Sequence, residues 1–411
     1  MSNTTLIERS RGVPRSAPLT ALARRLLFER LAALGHGRLQ VREGGATHVF
    51  GGPAGGLDAT LVVHDPACYS EIAFGGSIGA GESYMLGHWS SDDLTVLMRL
   101  MLQNRAALDA LETGMARAGA PLRRFAHWLH RNTRAGSRRN ISAHYDLGNE
   151  LFRLFLDETM MYSCAFFERP EMALAEASTA KLEMVCRKLA LGPGDHVLEI
   201  GTGWGGFALH AASRHGCRVT TTTISPSQHA LAVERIRAAG LEDRVTILLE
   251  DYRELRGRYD KLVSIEMIEA VGHQYLGEYF RCCAGLLNPG GRMLLQAITI
   301  ADRHYLRTRN EVDFIKRYIF PGAFIPAISA MAQAMAESSD LRIVHLEDIG
   351  PHYATTLARW RDNFLSNLDR VRALGYPDTF IRMWEFYFCY CEAGFAERQL
   401  GDVQMVLARE G

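Results

Sequence analysis

Apolar and polar positions alternate along this chain with two different rhythms. From about residue 185 onward, short aliphatic or β-branched runs are separated by stretches with helical spacing. HVLEIG (196–201), CRVTTTTIS (217–225), VTILLED (245–251), DKLVSIEM (260–267) and GRMLLQAITI (291–300) read as buried strands. Helical segments such as SPSQHALAVERIRAAG (225–240) and YLGEYFRCCAGLLNPGG (275–291) lie between them, the second closed by Pro289, Gly290 and Gly291 as a helix stop and turn. This order predicts an α/β fold with a doubly wound parallel sheet. LRIVHLEDI (341–349) and DVQMVLAR (402–409) are suited to complete it as an antiparallel pair.

The N-terminal rhythm is different. An Arg/Leu-rich helix, LTALARRLLFERLAAL (19–34), precedes the short alternating runs RLQVRE, THVFGG and ATLVVHD, which are punctuated by Gly and Pro turns. Residues 1–112 therefore form a smaller α+β domain and 144–411 a second, larger one. The segment between, 113–143, has no acidic side chain and seven arginines: Arg117, Arg123, Arg124, Arg131, Arg134, Arg138 and Arg139. Within it Leu122, Phe125, Ala126 and Leu129 share one helical face, with Trp128 flanking. Such a basic amphipathic helix suits peripheral contact with an anionic membrane, and equally a solvated linker whose stripe packs on its own protein.

Composition narrows the function. The 411 residues carry 46 basic and 46 acidic side chains, a balance that argues against a dedicated nucleic-acid binder. Eight cysteines at 68, 164, 186, 217, 282, 283, 389 and 391 show no CxxC pair or His spacing of a tetrahedral zinc site, so no metal is expected and the thiols read as reduced and intracellular. The N-terminal residues lack a signal-peptide apolar run, and GAFIPAISAMAQAMA (322–336) falls short of the roughly 18 apolar residues of a spanning helix. A cytoplasmic protein, peripheral to membrane at most, is the expectation.

LEIGTGWGGFALHAA (198–212) is the sharpest local motif: a strand, glycines at 201, 203, 205 and 206, then a helix. Glycines let the backbone turn tightly and approach a ligand, and the helix start offers free N–H groups to an anion. Glu199 precedes the first glycine, where it would attract an ammonium and repel a pyrophosphate. A ligand end with both ammonium and carboxylate, as in S-adenosylmethionine, suits this pair. A nicotinamide dinucleotide would want an acid ending the second strand, where this chain has threonine. Thr223, Ile224, Ser225 and Gln228 close the second strand, and Glu250, Asp251 and Tyr252 the third, at the carboxyl edge where such folds meet ribose and adenine.

Over nearly its whole length the chain resembles the cyclopropane-fatty-acid synthase and mycolic-acid cyclopropane synthase family. The resemblance is carried by GESYMLGHW (81–89), HYDLGNELFRLFLDETMMYSCAFF (144–167), LEIGTGWGG, TTTISPSQ (221–228), EAVG (269–272), YIFPGAFIP (318–326) and YATTLARWRDNF (353–364). It implies a class I methyltransferase domain with Rossmann-like doubly wound sheet behind an N-terminal lipid-binding domain, acting on the double bond of unsaturated phospholipid acyl chains. By the same resemblance Tyr162, Ser163, Glu199, Gly201, Gly203, Thr223, Ile224, Gln228, Asp251 and Tyr252 contact S-adenosylmethionine. Cys164, Glu269, Gln296, Ile298 and Tyr353 match the positions around a bicarbonate ion beside the reacting carbon. A homodimer is also implied.

An isolated alkene has no proton to remove beforehand, so catalysis rests on placing it in a dry pocket before an electrophilic methyl. A buried anion would then stabilise the resulting carbocation and take a proton from the new methyl group, closing a cyclopropane ring. Two positions depart from the family pattern, Gln296 and Ala270, each where the family has histidine. A glutamine amide donates to an anion but takes up no proton. If the base is displaced, the cation loses a proton elsewhere and gives a methylene- or methyl-branched chain, with a separate reductase finishing the latter. A catalytically silent lipid-binding protein and a small-molecule N- or O-methyltransferase are the remaining alternatives.

Overall fold

The structure, a computed structural model, describes residues 17–52, 56–105 and 147–411. The basic segment at 113–143, with its amphipathic stretch, lies outside the described residues. The chain divides into two compact units, and the stretch Pro377–Phe386 groups with the N-terminal one. The reason is local: Arg382 donates to the carbonyls of Tyr84 at 2.6 Å and Trp89 at 3.0 Å, and Tyr84 donates its hydroxyl to Glu385 at 2.8 Å. Sequence patterning had assigned this stretch to the larger domain as one uninterrupted segment.

In the N-terminal unit β1 (Arg38–Glu43), β2 (Ala46–Gly51), β3 (Asp58–Val63) and β4 (Trp89–Ser91) form a sheet in the order β2-β1-β3-β4. Helices α1 (Ala17–Leu31), α2 (Ala67–Met85) and α3 (Leu94–Gln103) accompany it. The carboxylate of Asp93 caps α3 by accepting from Val96 N at 2.9 Å. Strand β4 is three residues long and has no alternation to betray it.

The second unit carries a seven-stranded sheet, β10-β11-β9-β8-β5-β6-β7, built from β5 (His196–Ile200), β6 (Arg218–Thr222), β7 (Val245–Leu248), β8 (Tyr259–Ile265), β9 (Leu287–Ile300), β10 (Leu341–Asp348) and β11 (Leu400–Arg409). The five strands from β9 to β7 run parallel, and β11 and β10 add the expected antiparallel pair. Strand β5 bonds to both β6 and β8, so the chain winds outward, returns, and winds the other way. The crevice at this reversal is where a parallel sheet binds its ligand.

Along the chain the helices are α4 (Asn149–Arg153), α5 (Leu174–Leu189), α6 (Gly206–His215), α7 (Pro226–Ala238), α8 (Leu276–Leu286), α9 (Asp302–Thr308), α10 (Ile328–Ser338), α11 (Gly350–Ser366), α12 (Leu368–Ala373) and α13 (Asp378–Ala396). Both faces of the sheet are covered, because successive strand residues serve opposite cores. Leu262, Met293 and Leu295 join Tyr279 and Met331 on one side, whereas Val263 and Leu294 join Val185 and Phe207 on the other. Among the described residues no helix is long and apolar enough to cross a membrane.

A close approach fixes the start of α6. A Cβ on Gly206 would lie 2.6 Å from both Thr159 O and Met161 Sδ, and the backbone carbonyl has no rotamer to give. Gly206→Ala should therefore destabilise the second unit by about 1–3 kcal/mol, read as a lower urea midpoint at unchanged slope.

Candidate active site

The glycine motif turns out of β5 with Gly201 at φ 102°. The N–H groups of Gly201 and Thr202 both donate to Thr222 O, at 3.1 and 3.0 Å, drawing the loop against the end of β6. Arg235 of α7 ties the neighbouring segments together: it donates to Trp204 O at 2.6 Å, Glu158 O at 2.9 Å and Thr159 O at 3.2 Å. The loop carrying Tyr162 and Ser163 is thereby held beside the glycine turn. Tyr162 lies among Phe152, Trp360 and Phe320, and its hydroxyl meets that of Tyr387 at 2.9 Å.

Glu199 is buried at the end of β5, where it accepts from Thr221 Oγ1 at 2.6 Å. Burial pushes its carboxyl up to about 8, against the opposing pull of the Thr221 hydrogen bond and Lys181. At the end of β6, Thr223 donates to the Gln228 side chain at 3.1 Å, and Ile224 beside them is half-buried. Asp251, after β7, is committed to Arg253, which it meets at 2.6 and 2.8 Å. The same guanidinium lies 5.5 Å from the Tyr252 ring. Glu199, Gly201, Gly203, Thr223, Ile224, Gln228, Asp251 and Tyr252 stand at or beside the carboxyl ends of β5, β6 and β7, while Tyr162 and Ser163 lie on the loop before α5; Asp251 already has a charged partner.

The residues expected at the reacting carbon converge on a side chain the sequence did not single out, Glu266. Its carboxylate accepts from Cys164 N at 2.8 Å, Gln296 Nε2 at 2.8 Å and Tyr353 OH at 2.6 Å. Cys164 contributes its backbone N–H, while the buried thiol turns to the carbonyls of Ala165 at 3.3 Å and Ile349 at 3.7 Å. Gln296 gives its second amide hydrogen to Asp402 at 3.0 Å and accepts from Gln404 at 3.1 Å, with Gln404 and Gln296 directly opposite on β11 and β9. Glu269 turns instead to Ile298 N at 2.6 Å and leaves its other oxygen buried without a partner. The donors that would hold bicarbonate are thus spent on a protein carboxylate, and a free anion does not fit among them.

A cation faces this acidic interior. Lys181, fully buried on α5, donates to Ser163 Oγ at 2.8 Å and acts electrostatically on Glu266, Asp402 and Glu199. It therefore lies between the two groups of site residues. Asp402 is pushed well above the usual carboxylate range by burial and by Glu266 and Glu269; burial also raises Glu266, but there Tyr353, Cys164 N, Lys181 and Gln296 pull the other way. The proton of this pair accordingly belongs on Asp402, and the negative charge on Glu266.

The mycolic acid cyclopropane synthetase family model matches residues 132–405. The chain belongs to that family. It is 40% identical to the tuberculostearic acid methyltransferase UfaA1 of Mycobacterium tuberculosis, the match covering 97% of this chain and 93% of that one. It is 36% identical to the cyclopropane-fatty-acyl-phospholipid synthase of Escherichia coli K12, over 86% of this chain and 89% of the relative. Among solved structures, the mycolic acid cyclopropane synthase CmaA1 complexed with SAH and CTAB superposes with a TM-score of 0.62 at 29% identity, covering 66% of this chain and 98% of that one. The protein is a class I S-adenosylmethionine-dependent methyltransferase within a family of cyclopropanating and methyl-branching lipid enzymes.

Four residues of this site escaped the sequence reading. Glu266 stands one residue beyond β8 and looked like its apolar continuation in DKLVSIEM. Lys181 shares a helical stripe with the buried Ala177 and Val185, an interruption that could have flagged it. Asp402 and Gln404 occupy alternate positions of a strand whose faces are both covered, the corresponding signal in a sheet.

Glu199 and Glu269 both have carboxyls pushed up to about 8 by burial, so each holds its proton in the native state at pH 7 and loses it on unfolding. Their contribution is fully present below about pH 4.5 and is lost as pH rises through 8, at roughly 1.4 kcal/mol per pH unit and group in that window. The unfolding free energy of the ligand-free protein should fall between pH 5 and 8, and Glu269→Gln should make that fall shallower in urea titrations. Lys181→Met should cost about 3–5 kcal/mol, because it leaves the Glu266 carboxylate uncompensated.

Proposed function

We propose that this enzyme transfers a methyl group from S-adenosylmethionine to the cis double bond of an unsaturated fatty acyl chain, as found in phospholipids, and releases a methylene-branched product. The observation that carries carbon methylation is the buried carboxylate of Glu266 among Cys164 N, Gln296 and Tyr353. A fixed anion in an apolar, aromatic-walled site stabilises a cation formed on a hydrocarbon, for which a substrate with its own lone pair has no need. The branched outcome rests on the 40% identical relative named for tuberculostearic acid, whose match spans 97% of this chain.

The electrophile is the methyl group that S-adenosylmethionine supplies when bound. Glu199 would hold its ammonium, the N–H groups at the start of α6 its carboxylate, and Gly201, Gly203, Thr223, Ile224, Gln228, Asp251 and Tyr252 the remainder, with Tyr162 and Ser163 beside it. The aromatic walls exclude water, which would otherwise quench a cation. Attack by the alkene leaves positive charge on the neighbouring carbon. A hydride shift from the methyl-bearing carbon followed by loss of a methyl proton gives an exocyclic methylene. Loss of that proton without the shift closes a cyclopropane.

Ring closure is the second reading, favoured by the 36% identical synthase that covers 86% of this chain. In either reading the acyl chain gains one CH2. A reductase would convert the methylene product to a methyl branch, and the N-terminal unit and the arginine-rich segment are assigned to lipid and to anionic membrane.

Incubating the purified protein with S-adenosylmethionine and monounsaturated phospholipid vesicles should yield a chain heavier by one methylene that shows exocyclic vinylidene protons by NMR. Ring protons at high field would establish the second reading, and no heavier chain despite cofactor binding would reject both. Glu199→Gln should weaken S-adenosylmethionine binding more than tenfold by calorimetry, since it removes the charge partner of the ammonium. At pH 7 wild-type binding should release a proton, as the cation draws the Glu199 carboxyl down from about 8.

A further inference from the structure

We infer that Glu266 is the catalytic base and that this enzyme carries, as part of its own chain, the anion that the family resemblance assigns to bicarbonate. The inference rests on the lipid methylation proposed above. Its geometric ground is that four of the five residues matched to the anion site are engaged with protein carboxylates. Cys164 N, Gln296 Nε2 and Tyr353 OH all donate to Glu266, and Ile298 N donates to Glu269. The fifth residue is Glu269 itself.

A second observation is independent of those hydrogen bonds. Glu266 has φ 47°, a left-handed conformation that costs a residue with a Cβ about 1–2 kcal/mol and that glycine adopts freely. Its N–H is nevertheless fastened to Gln296 O at 2.9 Å. Strain kept at a position whose N–H and carboxylate are both hydrogen-bonded points to a role for the side chain.

The orientation of Gln296 completes the case. Lys188 donates to Gln404 Oε1 at 2.7 Å and Gln404 Nε2 to Gln296 Oε1 at 3.1 Å, so the Gln296 amide cannot flip and both its hydrogens face carboxylates. Gln296 is thus a positioning residue, and Glu266 is the proton acceptor. In the reaction a C–H bond of the transferred methyl breaks. Its electron pair becomes the second bond of the methylene or the third side of the ring, and the proton passes to a Glu266 oxygen. A proton next to a carbocation is strongly acidic, so a carboxylate steadied by three donors is basic enough; what matters is that it is there.

Two measurements test this. In carbonate-free buffer, wild-type product formation should be the same with and without added bicarbonate. Glu266→Gln should lower it by about 100-fold or more while S-adenosylmethionine affinity and the folded circular dichroism spectrum are retained. A wild-type rate that depends on bicarbonate, or a Glu266→Gln variant with wild-type turnover, overturns the inference. Titration of the full-length protein with 13C-labelled bicarbonate, followed by NMR line width, needs no lipid and separates this inference from the proposed function. Absence of saturable binding to wild type supports a filled anion site, whereas saturable binding that S-adenosylhomocysteine leaves intact, and that Glu266→Gln abolishes, shows a free ion held there and overturns it.

Discussion

The carboxyl groups of Glu199, Glu266, Glu269 and Asp402 and the ammonium of Lys181 form one electrostatic group, and their mutual interactions set the charge that each carries. Lys181 has no exposed surface, yet Glu199, Glu266 and Asp402 all feel its charge. An ammonium so placed would be driven to shed its proton were the acids absent, and the acids would all be driven neutral were the lysine absent. Together they settle with charge divided unevenly: Glu266 anionic under three donors, Asp402 holding a proton, Glu199 awaiting a cation. Each position on the carboxyl edge of the sheet is thus prepared for a ligand of a definite sign.

The sheet makes that division possible. Strands β5 and β8 are neighbours, so Glu199 and Glu266 emerge on the same edge of the sheet. The antiparallel β11 brings Asp402 and Gln404 against β9, where Gln404 meets Gln296 side by side. A purely parallel sheet ending at β9 would leave Gln296 on an edge with only Glu266 to orient its amide. The polar relay from Lys188, itself paired with Glu347 at 2.6 Å, reaches the reaction centre only because β10 and β11 are there to carry it.

Most of the architecture was legible in the sequence because strand and helix periodicities are strong between residues 185 and 300, and because LEIGTGWGG joins a strand, a tight turn and a helix start in one motif. Glu199 could be assigned a role from its place before the first glycine alone. Glu266 could not. In DKLVSIEM it follows an apolar run as an ordinary boundary residue, and only the left-handed turn at that point aims it into the site. Lys181 was hidden for the opposite reason, since lysines on amphipathic helices usually face water. The grouping of Pro377–Phe386 with the N-terminal unit depends on Arg382 reaching carbonyls nearly 300 residues earlier in the chain, a pairing that no local pattern encodes.

The left-handed backbone at Glu266 also bears on ancestry. A position with this φ is one where glycine is the conformationally easy occupant, and a glycine codon becomes a glutamate codon by a single nucleotide change. A glycine there would leave the same three donors open to a dissolved ion. With glutamate the charge is tethered to the chain, and its presence follows from folding instead of from the supply of dissolved carbon dioxide.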